Sequence, residues 1–393
     1  MWVRNTFIGK WRTIYSIGAM LNSITWGLYF SFTRRYLTVD LKGGIEAMLL
    51  ITGLEWGLTL FASLSDKLSR ILGDRNVILL GVSGFVFMFS PIFIDKPYVL
   101  AFPLSMASFT WAISWPIILS AVFVDTVDAF GKTYSYFTFG TGIGFSVGSI
   151  LMGFLFNSIG PKGISVIMGL MYLTTYILFT LFFPSHRVAN NEARDSDGPR
   201  YRDLLKISFP FMISISLSVF ARELLFATAP YKLNMEIERV LGTDHSGLEY
   251  VVFGIVYGGV TSILSIPVRI LSGILVDKYS PLSVYIISVL LYTGLYWSFM
   301  KTSGLISLLL WQIPLFPLQD TSINTYIAKQ FPGKNRALGF GISIVFSAMG
   351  GLMLLPLLAN PRQDVEFLGY LITTVSAFSI ILAYLSRKSL NKQ

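Results

Sequence analysis

Five charged residues stand inside stretches that are otherwise apolar: Glu55, the adjacent Arg222 and Glu223, Arg269, and Asp320. A charge in a hydrocarbon or protein interior needs a partner, an aqueous cavity or a proton. Such residues can pair between helices, meet an ionic solute, or load and release protons. A carboxylate poised in a partly dry cavity suits the last task, because desolvation brings its charged and neutral forms together in energy. Asp320 is the first candidate for proton coupling, Glu223 the second and Glu55 the third. Arg222 and Arg269 can neutralise these acids or contact an anionic solute, and exchange of partners between states would itself couple them. Other chemistry is poorly provided for. Cysteine is absent, which excludes thiolate nucleophiles, thiolate metal sites and disulfides. The two histidines, His186 and His245, fall in polar connections. No cofactor and no metal are expected. A membrane-embedded enzyme would lack its commonest nucleophiles and bases. No Gly-x-x-x-x-Gly-Lys-Ser/Thr loop is present, so ATP is not expected to drive the protein directly.

The elements that must hold these charges are membrane helices. The 393 residues are 53% hydrophobic and 13% charged, against about 25% charged in a soluble domain, and mean hydropathy is +0.65. A soluble globule of this size has too little interior for that much apolar surface. Twelve stretches reach the length of about 20 residues that spans a bilayer: 13–33, 43–65, 76–95, 97–124, 135–158, 162–183, 207–233, 248–275, 281–302, 304–330, 337–359 and 364–386. The hairpins near Lys96, Pro161 and Ser303 are very short. The segment holding Arg4, Lys10 and Arg12 leads into a full-length span without a small-residue cleavage site, so no signal peptide is expected. Of 30 Lys and Arg residues, more fall on the side of the termini than opposite, which predicts both termini in the cytoplasm of a multi-pass cell-membrane protein. The same bias explains the +9 net charge without invoking nucleic acid. A polar segment around 187–206 divides the chain into an N-terminal half, 1–186, and a C-terminal half, 207–393, with six spans each.

The halves echo each other. Asp66-Lys67 follows the second span and Asp277-Lys278 the eighth; Gly131-Lys132 precedes the fifth span and Gly333-Lys334 the eleventh. Both echoes fit a six-plus-six duplication. With Asp66, Lys67 and Arg70 in the turn after span two, and Gly273, Asp277 and Lys278 in the corresponding later turn, the chain resembles the major facilitator superfamily. That family's signature, Gly-x-x-x-Asp-Arg/Lys-x-Gly-Arg, is matched in part, since Ala62 and Ser69 replace its two glycines. The stretch Phe331–Phe340 is similar to the basic approach to helix eleven in that family. The resemblance implies an all-α polytopic membrane protein of twelve helices in two pseudo-symmetric halves, working as a monomer. It further implies a central cavity lined by helices one, four, seven and ten, and a gate at the Asp-Lys turns. Asp66, Lys67, Arg70, Asp277 and Lys278 are therefore gating candidates. Arg269 joins them, being about 12 Å of helix before Asp277. The alternative for these turns is a simple stop signal with snorkelling lysines.

Periodicity supports the cavity independently. Span one carries a stripe of Tyr15, Asn22, Trp26, Tyr29 and Thr33, span four Ser108, Trp111 and Trp115, and span ten Gln312, Gln319, Asp320 and Asn324. These faces are too polar for lipid and suit a solute with an apolar body and a few polar groups. Asn22, Trp26, Tyr29, Trp111, Trp115, Arg222, Gln312, Gln319 and Asn324 are the candidate solute contacts, with helix packing as the plainer alternative for the aromatics. Gly140, Gly144 and Gly148 share one face of span five, as close helix packing requires; they also resemble, incompletely, a glycine motif of the superfamily's antiporters. The expectation is a secondary transporter of a small solute, working by alternating access and proton-coupled. Efflux of amphipathic, drug-like compounds stands slightly ahead of uptake of an organic anion or sugar. A scramblase or sensor on the same fold is the alternative of another class.

Overall fold

The structure, a computed structural model, describes residues 10–184 apart from 125 and 127, then 201–242, 248–331, 333–358 and 365–390. His186, His245 and most of the 187–206 connection lie outside the described residues. The described chain forms twelve helical rods. In the first half, α1 is Lys10–Arg35, continued by a π-helical turn Tyr36–Asp40. α2 runs over 44–72 with a tightened turn at Leu60–Ser63, α3 is Asp74–Ile92 and α4 Pro97–Val122. Phe130–Leu181 is two crossings, α5 (130–159) and α6 (161–181). They part at Gly160, whose φ of 67° is non-helical and open to glycine, and Pro161 starts the next arm without needing an amide donor.

In the second half, α7 is Tyr201–Leu241. It begins inside the segment read from sequence as connection and outruns the span expected at 207–233, because a helix can continue on polar residues beyond the apolar stretch. α8 covers 248–279, with a π-helical turn at Ile255–Gly259, and α9 is Pro281–Lys301. α10 is broken into Gly304–Trp311 and Phe316–Gln330 around Pro314, which can supply no amide to a helix. α11 is Arg336–Leu352, extended by Leu355–Leu358, and α12 is Val365–Leu390.

Among the described residues, eight helices are long and apolar enough to cross a membrane on their own. One of them holds both α5 and α6, so the rods outside this set are α1, α2 and α10. These three carry Asn22 and Arg34, Glu55, and the Gln312–Asn324 stripe. α10 falls short because its break leaves pieces of 8 and 15 residues.

Small residues set the seams. Gly144 and Gly148 of α5 lie against the α1 carbonyls of Met20 and Ile24, while a side chain at Gly142 would come within 2.6 Å of the Ser262 carbonyl of α8. On the other side of the bundle a side chain at Gly53 of α2 would meet Leu355 of α11 at 2.6 Å, and one at Gly341 of α11 the Ala62 carbonyl at 2.7 Å. The α5–α8 and α2–α11 seams therefore join the two halves. Buried apolar residues form two clusters. The larger runs through α1–α6 and crosses into Leu204, Phe211, Tyr285, Tyr326 and Phe340 at the face carrying both termini; the smaller lies within the second half, away from that face. The apolar core thus bridges the halves at the terminal face.

Candidate functional site

α1 contributes Trp26, Phe30 and Arg34, four residues apart and hence on one face. Trp26 stacks on Phe30 at 5.4 Å, and the Arg34 guanidinium lies over the Phe30 ring at 5.2 Å. Arg34 donates to Glu55 Oε2 of α2 at 2.9 Å, and the Tyr29 hydroxyl donates to Oε1 at 2.8 Å. Both charged side chains are about nine-tenths buried, at 9% and 10% exposure. Glu55 is thus held by an ion pair inside its own half. Arg34, counted from the sequence with the loop cations after span one, is a buried member of the site instead. The signal that could have found it is the four-residue spacing from Trp26 and Phe30.

Aromatic residues of α4 and α5 extend this wall. Trp26 meets Trp111 edge-on at 6.4 Å, Trp111 stacks on Trp115 at 5.6 Å, and Phe30 approaches Phe145 at 6.4 Å. Trp26, Trp111, Trp115, Phe30 and Phe145 all keep part of their surface exposed. By contrast Tyr29 is fully buried, so it supports Glu55 and offers nothing to a solute in this conformation. Asn22 is buried, and its Oδ1 has no hydrogen-bond partner; nor has the Trp26 indole nitrogen.

The second half supplies a network centred on Arg222 of α7. Its Nη2 donates to Glu223 Oε1 at 3.1 Å, the long side chain curling back because neighbours on a helix point in different directions. Its Nη1 donates to Gln319 Oε1 at 3.0 Å and reaches Asp320 Oδ1 at 3.4 Å. The exposures separate the acids: the Glu223 side chain is 16% exposed and that of Asp320 39%. Asp320 is the more exposed of the two acids. One turn on, Asn324 donates to the Tyr134 hydroxyl of α5 at 3.0 Å. Arg269 is buried on α8 with its guanidinium over the Phe316 ring at 5.0 Å, near Tyr134 and Asp320. The charge of Arg34 acts on Glu223, and Tyr257 of α8 stands between them, so the clusters of the two halves face each other. Gln312 is fully engaged elsewhere: its amide nitrogen donates to the Val256 and Leu308 carbonyls, and its oxygen accepts from Thr261. It ties the break of α10 to α8. Tyr134, Tyr257 and Phe316 were not singled out in the sequence, where nothing distinguishes them from other span aromatics.

The Asp-Lys turns lie at the terminal face and behave differently. Asp277 accepts from the backbone amides of Gly131 at 2.9 Å and Lys132 at 3.0 Å. It thereby caps the start of α5, where unpaired amides and the helix dipole favour a carboxylate, and it joins the halves. Asp66 pairs with Arg70 at 3.0 Å in its own turn. Lys67 is exposed beside it, and the Lys278 ammonium lies over the Tyr279 ring. Arg336 of α11 donates to the Phe123 carbonyl at the end of α4 at 3.1 Å, and Phe123 stacks on Phe340 at 5.7 Å. The Asp277, Arg336 and Phe123–Phe340 contacts cross between the halves at the terminal face.

The profile of the Major Facilitator Superfamily matches residues 15–356. No match was found among curated proteins. Among solved structures, the nucleoside transporter NupG superposes with a TM-score of 0.64 at 13% identity, over 97% of this chain and 99% of that one. A mutant form of it gives 0.66 at 13% identity, over 97% and 100%. Twelve crossings, seams joining two six-helix halves and a profile match over most of the length agree: the chain belongs to the Major Facilitator Superfamily.

Proposed function

We propose that the protein is a proton-coupled secondary transporter of small amphipathic solutes. The observation that carries this reading is Asp320, whose side chain is 39% exposed beside Arg222 at 3.4 Å, together with the partly exposed wall of Trp26, Trp111 and Trp115 in the other half. The wall suits a planar apolar body, and the acids and guanidinium groups suit a proton and a few polar groups. Protonation of Asp320 loosens its hold on Arg222, which gives the two binding events a shared free energy. Asp277 and Arg336 hold the terminal face shut in this state, and their release accompanies exposure of the cavity to the other side by rocking of the halves on the α5–α8 and α2–α11 seams. The terminal face is cytoplasmic, the membrane is the cell membrane, and one chain suffices. Efflux of drug-like compounds requires proton exchange, whereas uptake requires proton cotransport. The likeness to a protein described as a nucleoside transporter favours a second cargo: a planar base carrying a hydroxyl-rich group.

The test is solute-triggered proton movement in proteoliposomes holding a pH dye, challenged with drugs, nucleosides, sugars, amino acids and carboxylates. One solute class should move protons, and Asp320→Asn should abolish proton-driven accumulation while leaving solute exchange. Unchanged gradient-driven transport in Asp320→Asn would overturn the coupling. The sign of the pH change gives the direction.

A further inference from the structure

Among the described residues, Arg269 is the central guanidinium without a carboxylate partner. Arg34 pairs with Glu55, and Arg222 with Glu223 and Asp320. Arg269 is 7% exposed, and its Nε has no hydrogen-bond partner. It meets the face of Phe316 at 5.0 Å. A buried guanidinium left in this condition is strongly destabilising unless something anionic comes to it. A bidentate acceptor is what its geometry matches.

The surroundings say what kind of anion. Ring contacts run from Trp115 to Phe137 at 5.9 Å and from Phe137 to Tyr134 at 6.5 Å, and Tyr134 stands beside Arg269. An aromatic path therefore leads from the Trp wall to the unpaired guanidinium. The charges say when it binds. Arg34, Arg222 and Arg269 face Glu55, Glu223 and Asp320, and these charges balance when all are ionised. A proton on Asp320 leaves one positive charge in excess, and Arg269 is the cation with no partner to absorb it. The groups facing Asp320 are Arg222 from α7, which also holds Glu223, Tyr134 from α5, Arg269 from α8 and Tyr292 from α9. Gln319 and Asn324 flank it on its own helix.

We propose that Arg269 anchors the anionic group of the cargo, and that the cargo is a planar organic monoanion carried together with a proton on Asp320. The inference rests on the central cavity being the transport site, and it selects cotransport over exchange.

The experiment compares three probes with one ring system: 2-naphthalenesulfonate, which stays ionised at any working pH, the neutral sulfonamide and the naphthylmethylammonium cation. Binding is read by quenching of tryptophan fluorescence in the purified full chain. The sulfonate should bind most tightly, and about tenfold more tightly in acid than in alkaline buffer. Asp320→Asn should remove that pH dependence. Arg269→Gln should lose the preference for sulfonate over sulfonamide by about tenfold or more, and Arg269→Lys should keep part of it, which also reports a folded chain. The proposal falls if Arg269→Gln retains the preference, if the cation binds best, or if no probe binds. Exchange of the neutral sulfonamide across proteoliposomes with no anion preference would overturn this inference and leave the transport reading standing. Absence of solute-coupled flux for every compound in the wider panel would instead sink the transport reading itself.

Discussion

Glu55 illustrates how an intramembrane charge can be satisfied entirely within its own half. Its two oxygens are taken by Arg34 and Tyr29 at 2.9 and 2.8 Å, and neither charged partner has more than a tenth of its side chain exposed. Removing one member of a buried pair strands the other, at a penalty of about 3–5 kcal/mol. Arg34→Met is therefore expected to lower thermal stability markedly, whereas Arg34→Met combined with Glu55→Leu should regain most of it. A double-mutant cycle on the melting midpoint checks this; additive losses would show that the pair is not coupled. The pair was half legible in the sequence. Glu55 stood out as a charge in an apolar run. Arg34 did not, because it sits at the end of its span, where a cation passes as an ordinary loop residue.

At the scale of elements, the state of the terminal face depends on how α8 meets α5. Asp277 holds the first amides of α5, an interaction of about 0.3–1 kcal/mol for the charge alone. Asp277→Asn keeps an acceptor but loses the charge, so the closed terminal face should become less populated. A cysteine in place of Ala328, buried on α10, gives the readout, because the chain has no other cysteine. Labelling by a membrane-impermeant maleimide added from the terminal side should quicken severalfold in Asp277→Asn, in line with that energy. An unchanged rate would remove Asp277 from the gate. The breaks at 36–40, 255–259 and 312–315 are element-scale features too. Single π-helical turns often mark functional sites, and one of them carries Tyr257. Their positions depend on which backbone groups find partners on neighbouring helices, as Gln312 does with Val256, and a single helix read alone does not contain that information.

For the whole molecule, the decisive property is that the halves are joined along two seams and by further contacts across the terminal face. If cargo crosses by rocking on those seams, a fixed terminal face must stop it. Phe123 and Phe340 belong to different halves and stack at 5.7 Å. Replacing both with cysteine and bridging them with a short disulfide-containing bis-maleimide should abolish solute exchange, and cleaving the linker should restore it. Exchange persisting through a complete crosslink would exclude a rocking cycle.

What the sequence by itself determined is the class of molecule. Apolar runs of bilayer length, separated by polar turns, can satisfy their backbone only as helices, and Asp66-Lys67 echoed by Asp277-Lys278 exposes the duplication. The rare intramembrane charges Glu55, Arg222, Glu223, Arg269 and Asp320 also declare themselves, since few solvents are less forgiving of charge than lipid. What only the tertiary structure decided is the pairing. Arg222 reaches Asp320 across 98 positions of chain, Arg34 takes Glu55, and Arg269 is left without a carboxylate. Equivalent carboxylates in the two repeats, Asp66 and Asp277, take different partners. A helix periodicity fixes which face a residue occupies, but the neighbour on that face is set by the seams, where glycines let particular helices approach. Partnership across them is a property of the packed bundle.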